Sequence, residues 1–225
     1  MGGSSTRHYT PQPQPQPQPQ APKKPHNCEV ILKDADIPPI DWSSVEKLPD
    51  QLYAGVFLNQ KRKKYWVDRT SHHNCFMVFA RDLAITWADD ERFWQWAIFK
   101  ETSDAFVEVA ELLNVCWLEI RGRFETTKLS PGIVYEVFFV VMLKDHAYGW
   151  EVPVQFKLIL PDDSSQEHKE NFMNKQKGQW IEILAGKFMA TPDKVGDIEF
   201  SLCGCEGRNW KKGLVVKGVA IRPEA

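Results

Sequence analysis

Cys116–Phe124 reads CWLEIRGRF and Ile133–Leu143 reads IVYEVFFVVML, and these two runs decide the fold. In the first, Cys116, Leu118, Ile120, Gly122 and Phe124 share one side of a period-two register, with Glu119, Arg121 and Arg123 on the other. That alternation predicts a strand with one buried face. The second run is apolar in both registers, as expected of a central strand covered on both sides. Working outward, Val152, Val154, Phe156, Leu158 and Leu160 alternate with outward Gln155 and Lys157, and Trp180–Phe188, Ile198–Cys205 and Leu214–Ile221 continue the series. Turn residues punctuate it at Ser130-Pro131-Gly132, Pro161-Asp162-Asp163, Gly186, Thr191-Pro192-Asp193 and Gly213. One short helix is expected around Ser103–Leu113. Repeated short strands with such breaks predict an all-β chain, an antiparallel β-sandwich that is jelly-roll-like. No internal repeat points to a propeller.

Residues 11–20 are five Pro-Gln dipeptides, and the first 27 residues carry almost no large apolar side chains. Alternate prolines fix φ and remove every second backbone donor, so residues 1–27 are expected to form a disordered, Pro/Gln-rich arm. Residues 28–58, broken by Pro38-Pro39 and Pro49, read as an irregular extension packed on the main domain, residues 59–225. Net charge is −2 with both signs interleaved, so no domain-wide basic field by itself implies nucleic acid. The basic run Lys61–Lys64 is expected to be a solvated hairpin turn. The N-terminus lacks the apolar run of a secretory signal, and no window is apolar enough to span a membrane. Five widely spread cysteines (Cys28, Cys75, Cys116, Cys203, Cys205) in a chain this long read as reduced thiols of a cytoplasmic protein.

Catalytic constellations are absent: no phosphate loop, nucleophile elbow or zinc-protease helix appears. The cluster His72-His73-Asn74-Cys75 with Cys203 and Cys205 has no standard zinc spacing, so no metal and no cofactor are expected. Asp89/Asp90 and Asp162/Asp163 read as solvated turns, not hydrolase acids. The aromatics carry more. Ala80–Trp96, ARDLAITWADDERFWQW, holds Trp87, Trp94 and Trp96 around an acidic turn, and Trp210 sits in the polar loop Gly207–Gly213. An indole has a flat apolar face and a single N–H, which suits the C–H faces and hydroxyls of a sugar. Trp87 and Trp210 are the outward candidates. Trp94 and Trp96, two apart on a strand, share a face, and Trp96 is expected to be core.

Three blocks, Ala80–Trp96, Glu108–Val141 and Asn209–Pro223 (NWKKGLVVKGVAIRP), together resemble the phloem protein 2 family of plant lectins. The resemblance implies a non-enzymatic carbohydrate-binding sandwich for N-acetylglucosamine oligomers and the chitobiose core of N-glycans. It implies a homodimer in phloem sap, with phloem filament protein and RNA as further partners of the family. The family's paired binding tryptophans fall on Trp87 and Trp94, with Asp89 in the turn between them. A tryptophan–lysine pair that stacks sugar in glycan-reading relatives falls on Trp210-Lys211, with Asn209 beside it. A glutamate of the family site falls on Gly204, and the nearest acid is Glu206.

Overall fold

The computed structural model describes residues 24–36 and 48–225, so the Pro-Gln repeat expected to form an arm lies outside the described residues. Two short helices, α1 (Cys28–Ile31) and α2 (Leu48–Ala54), precede the strands. These are β1 (Val56–Leu58), β2 (Lys63–Val67), β3 (Asn74–Phe79), β4 (Ala84–Ile85), β5 (Trp94–Lys100), β6 (Phe106–Leu112) and β7 (Leu118–Glu125). They continue as β8 (Ile133–Tyr148), β9 (Val154–Ile159), β10 (Ser165–Glu170), β11 (Trp180–Ala190), β12 (Asp197–Gly204) and β13 (Lys212–Pro223). All pairings between them are antiparallel, and they form two sheets packed face to face. The expected all-β sandwich is the observed architecture.

The small sheet runs β10-β9-β12-β7-β4. The large sheet is organised by β13, which pairs β8 along its whole length on one edge. Its other edge pairs first with β6 and then with β3. The handover falls at Gly218, next to a break in the β13/β8 register. A Cβ there would lie 2.1 Å from the Val78 carbonyl oxygen, so only glycine lets β3 close onto β13. Between the sheets Phe139 of the large one meets Phe156 and Phe200 of the small one edge-on, at 5.5 and 6.1 Å between ring centres.

Three observations differ from the sequence-based expectation. Ser103–Leu113 is not a helix: Phe106–Leu112 is β6, whose alternating Val107 and Val109 pack inside a strand held by β5 and β13. Pairing on both edges there overrides the helical preference of Ala110, Glu111 and Leu112. Second, β10 (SQEHKE) carries no apolar pattern because it is the outer strand of its sheet. Third, β8 is apolar on both faces, yet among the described residues no second layer covers its outer side. Phe138 and Val140 join Met77, Phe79, Phe99 and Trp180 in a second apolar cluster, over which cations lie. Lys217 sits 5.0 Å from the Phe99 ring centre and Arg222 4.5 Å from that of Phe138.

The extension contributes β1, which pairs β2 across the turn at 59–62, and buries Cys28, Ile31 and Leu52 in the main core. Just ahead of it, His26 is tied to the sandwich by buried Asn74, whose amide donates to the carbonyls of His26 (2.7 Å) and Lys128 (2.9 Å). Tyr65 Oη donates to Asn74 Oδ1 at 2.9 Å and Tyr135 Oη to the Asn74 carbonyl at 2.9 Å, completing that network. Gly218→Ala is expected to destabilise the protein by at least about 1–3 kcal/mol, the range for forcing atoms into a packed core. Urea unfolding checks this through a lowered midpoint, whereas Gly132→Ala, whose Cβ would meet nothing within 4 Å, tests the φ penalty alone.

Candidate functional site

Between β4 and β5 the chain makes a compact corner, with Ala88 N–H donating to Ile85 O (3.1 Å) and Asp90 N–H to Trp87 O (3.0 Å). Trp87 takes a left-handed φ of 61°, rare for a bulky residue. Asp90 grips the Arg92 guanidinium, and that hydrogen bonding holds its carboxyl down at about 2. Two indoles brace the corner from behind. Trp94 Nε1 donates to the Thr86 carbonyl at 3.0 Å and Trp96 Nε1 to the Ala88 carbonyl at 3.1 Å, one on each side of Trp87. Arg81, bidentate on Glu108, lies 3.6 Å over the Trp96 ring. Trp87 itself is 48 % exposed and leans on Phe93 at 5.3 Å. Asp89 and Glu91 are exposed and line open clefts of about 600 and about 540 Å³ on either side of the corner.

Trp94, expected at the binding surface, is 1 % exposed: its ring belongs to the core and its N–H to the corner. Trp96, expected in the core, is only half-buried, because its outer face is covered by Arg81 and not by a sheet.

The second loop follows β12. Glu206, Asn209 and Trp210 are exposed, Trp210 by 52 %, and Glu206 pairs with Lys169 at 2.6 Å. Lys211, expected to face the ligand, is 0 % exposed. Its ammonium turns inward and donates to the carbonyls of Cys116 and Asn209, each at 3.1 Å, while its backbone pairs with Val115. No carboxylate meets it in these bonds, and burial lowers its pKa. Trp150 Nε1 donates to the Lys212 carbonyl at 3.0 Å. Gly149 admits the loop: a Cβ there would lie 1.9 Å from the Trp210 carbonyl oxygen.

The expectation of five reduced thiols is also corrected. Cys203 and Cys205 form a disulfide at the mouth of this loop, because the strand end brings their Cα atoms to 5.4 Å, within bridging range. Cys28 and Cys75 are buried, and burial pushes the Cys75 thiol up to about 12. Three residues of the basic run are engaged by neighbours, Lys63 with Asp82 at 2.9 Å, Lys64 with Glu101 at 3.8 Å and Arg62 with the Arg81 carbonyl, while Lys61 is exposed at the turn. Among the described residues no His/Cys/Asp/Glu group is placed to hold a metal ion. Asp162 pairs with Lys194 at 2.6 Å, which lowers its pKa, opposite to what a general acid needs.

Strand register brings the two loops to the same end of the sandwich. β4 pairs β7 with Ile85 opposite Ile120, and Thr86 N–H donates to Glu119 O at 3.1 Å, so the Trp87 corner lies beside the start of β7. The Val115–Lys211 bridge sets the Trp210 loop beside the same segment from the other side. Between them stands Trp117, 48 % exposed. It is absent from the sequence-based set, although it shares the outward register of Glu119, Arg121 and Arg123. An outward indole at the head of a polar row was the available signal.

Thiol titration in denaturant is expected to count three free thiols before reduction and five after it. In the folded protein, alkylation mapped by mass spectrometry is expected to reach Cys116, the half-buried one, first. Lys211 binds its proton less tightly folded than unfolded, so its contribution to stability rises with pH up to the unfolded value near 10.5. Urea unfolding from about pH 7 to about pH 10 is therefore expected to move the stability difference between wild type and Lys211→Met in favour of wild type.

The sequence model of the family "Phloem protein 2" matches residues 73–223. The chain is 50% identical over 205 residues to Protein PHLOEM PROTEIN 2-LIKE A1 of Arabidopsis thaliana, covering 90% of this chain and 82% of that protein. It is 47% identical over 200 residues to a protein of Luffa acutangula named Lectin, covering 88% and 94%. To the Arabidopsis thaliana F-box protein At2g02240 it is 30% identical over 186 residues, 75% of this chain and 57% of that one. The chain belongs to the phloem protein 2 family.

Proposed function

We propose that the protein is a lectin that takes N-acetylglucosamine oligomers, including the chitobiose core of N-glycans, at the end of the sandwich where the Trp87 corner and the Trp210 loop meet. The carrying observation is two half-exposed indoles on loops whose carbonyls are pinned from inside by buried N–H groups. A sugar's C–H face and acetamido methyl stack on Trp87 and Trp210, while Asp89, Asn209 and Glu206 supply polar partners. Trp94 and Lys211 act from beneath, holding those loops. Because the bracing is built before ligand arrives, little ordering entropy is lost on binding. The relative named Lectin, matched over 94% of its length, supports this reading. Two such sites in a homodimer would add avidity. The proposed setting is the cytoplasm of phloem cells; no described helix is long and apolar enough to cross a membrane.

Each stack is worth on the order of 0.5–1.5 kcal/mol by comparison with aromatic pairs. Trp87→Ala and Trp210→Ala are each expected to weaken chitotriose binding roughly 3- to 10-fold, read by tryptophan fluorescence titration, with folding unchanged by circular dichroism. A wild-type protein that shows no response to millimolar chitotriose would remove the lectin reading.

A further inference from the structure

The Trp117 side chain is 48 % exposed, and among the described residues no hydrogen bond or ring contact ties it down. Its backbone, in contrast, is fixed from both sides. The carbonyl of the preceding Cys116 accepts the Lys211 ammonium at 3.1 Å, and the same nitrogen holds the Asn209 carbonyl at 3.1 Å. One buried atom therefore ties the segment carrying Trp117 to the segment carrying Trp210. On the other flank, Glu119 O accepts Thr86 N–H at 3.1 Å, tying the same segment to the corner that carries Trp87. The register is antiparallel on both flanks. The order across the end of the sandwich is thus Trp87, Trp117, Trp210, on three neighbouring chain segments. Beyond Trp210, half-exposed Tyr148 lies opposite Lys212 and donates to Asn114 Oδ1 at 3.1 Å.

Single exposed apolar residues need no explanation, but three large ones on adjacent segments do. Neighbouring strands lie about 4.8 Å apart, so three segments present a row on the order of 10 Å long. One pyranose ring cannot cover it.

Resting on the lectin reading above, we infer that Trp117 is the central platform of a row Trp87–Trp117–Trp210, and that this row makes the site select a chain of linked N-acetylglucosamine units over a single sugar. The outer platforms each hold one end of the chain. The middle one adds its contact only when both neighbours can be reached by the same ligand, so its weight grows with chain length.

The test is calorimetric titration of the full-length protein with N-acetylglucosamine, chitobiose, chitotriose and chitotetraose, for wild type, Trp117→Ala and Trp117→Phe. Trp117→Ala is expected to weaken chitotriose roughly 10-fold and to flatten the gain from one sugar to three, with binding of the monosaccharide little changed. Trp117→Phe, which keeps a flat ring, is expected to restore most of the loss. As a second readout, chitotriose is expected to shield Trp117 from N-bromosuccinimide oxidation, mapped by mass spectrometry. Wild-type binding that is unaltered in folded Trp117→Ala, with Trp117 oxidised equally in the presence of ligand, would overturn the central platform and leave the lectin reading standing. Silence of the wild type toward every chain length would overturn both.

Discussion

Where a chain leaves a sheet its carbonyls lose their ladder partners, and the candidate site depends on how this protein replaces them. At one end of the sandwich the carbonyls of Thr86, Ala88 and Lys212 accept indole N–H groups from Trp94, Trp96 and Trp150. Those of Cys116 and Asn209 share the Lys211 ammonium. A buried carbonyl left without a donor costs about 1–3 kcal/mol, so each brace is worth keeping on stability grounds alone. Their joint effect is geometric. They fix the backbone on either side of Trp87, Trp117 and Trp210, whose rings are left facing solvent.

The opposite end solves the same problem with different chemistry. There Asn74, fully buried, serves as donor to His26 and Lys128 and as acceptor for Tyr65, while Tyr135 takes its carbonyl. That network joins His26, just ahead of the N-terminal extension, to the sandwich and offers no exposed aromatic. The outer face of the large sheet has a third arrangement, with Lys217 and Arg222 lying over Phe99 and Phe138. The cations sit over the apolar rings and are paired with carboxylates, Lys217 with Glu101 at 2.5 Å and Arg222 with Glu182. Of the three surfaces, the braced end combines outward indoles with fixed backbone and exposed polar neighbours.

The fold was largely legible because burial on one face writes a period of two into β7, β9 and β12, and β8 announced itself by its length of apolar residues. What stayed illegible has physical causes. β10 lies at an edge and buries too little to carry a pattern, and β6 is rich in helix formers that only its two neighbours hold extended. For the site, Trp87, Asp89, Asn209 and Trp210 were found on exposed loops, as their polar surroundings suggested. Trp94 and Lys211 were not, because periodicity says which way a side chain points along a strand and nothing about which carbonyl awaits it. Cys203 near the end of β12 and Cys205 just past it lie close in sequence whether or not they are bonded, so spacing alone could not announce the disulfide. Trp117 was readable from its register, since it stands in line with three charged residues.

Tryptophan thus plays two roles here that a binding assay on alanine variants would confuse. Removing Trp94 deletes a core ring and also frees the Thr86 carbonyl, so the Trp87 corner would relax and binding would fall without Trp94 having touched a sugar. Removing Trp87 deletes an outward face and a contact with Phe93, and frees no carbonyl. The two cases separate in stability: a 1 % exposed indole replaced by alanine costs about 3–5 kcal/mol, whereas a half-exposed surface one stays within about 0.5 kcal/mol. The same division holds between Lys211 and Asn209 in the other loop, where the buried cation organises and the exposed amide can meet a ligand. A sequence block that matches a family's binding residues therefore marks two layers at once, an outer one that touches and an inner one that holds. The N–H of each indole tells which layer it belongs to, since a donor already spent on the backbone has no bond left to offer a sugar.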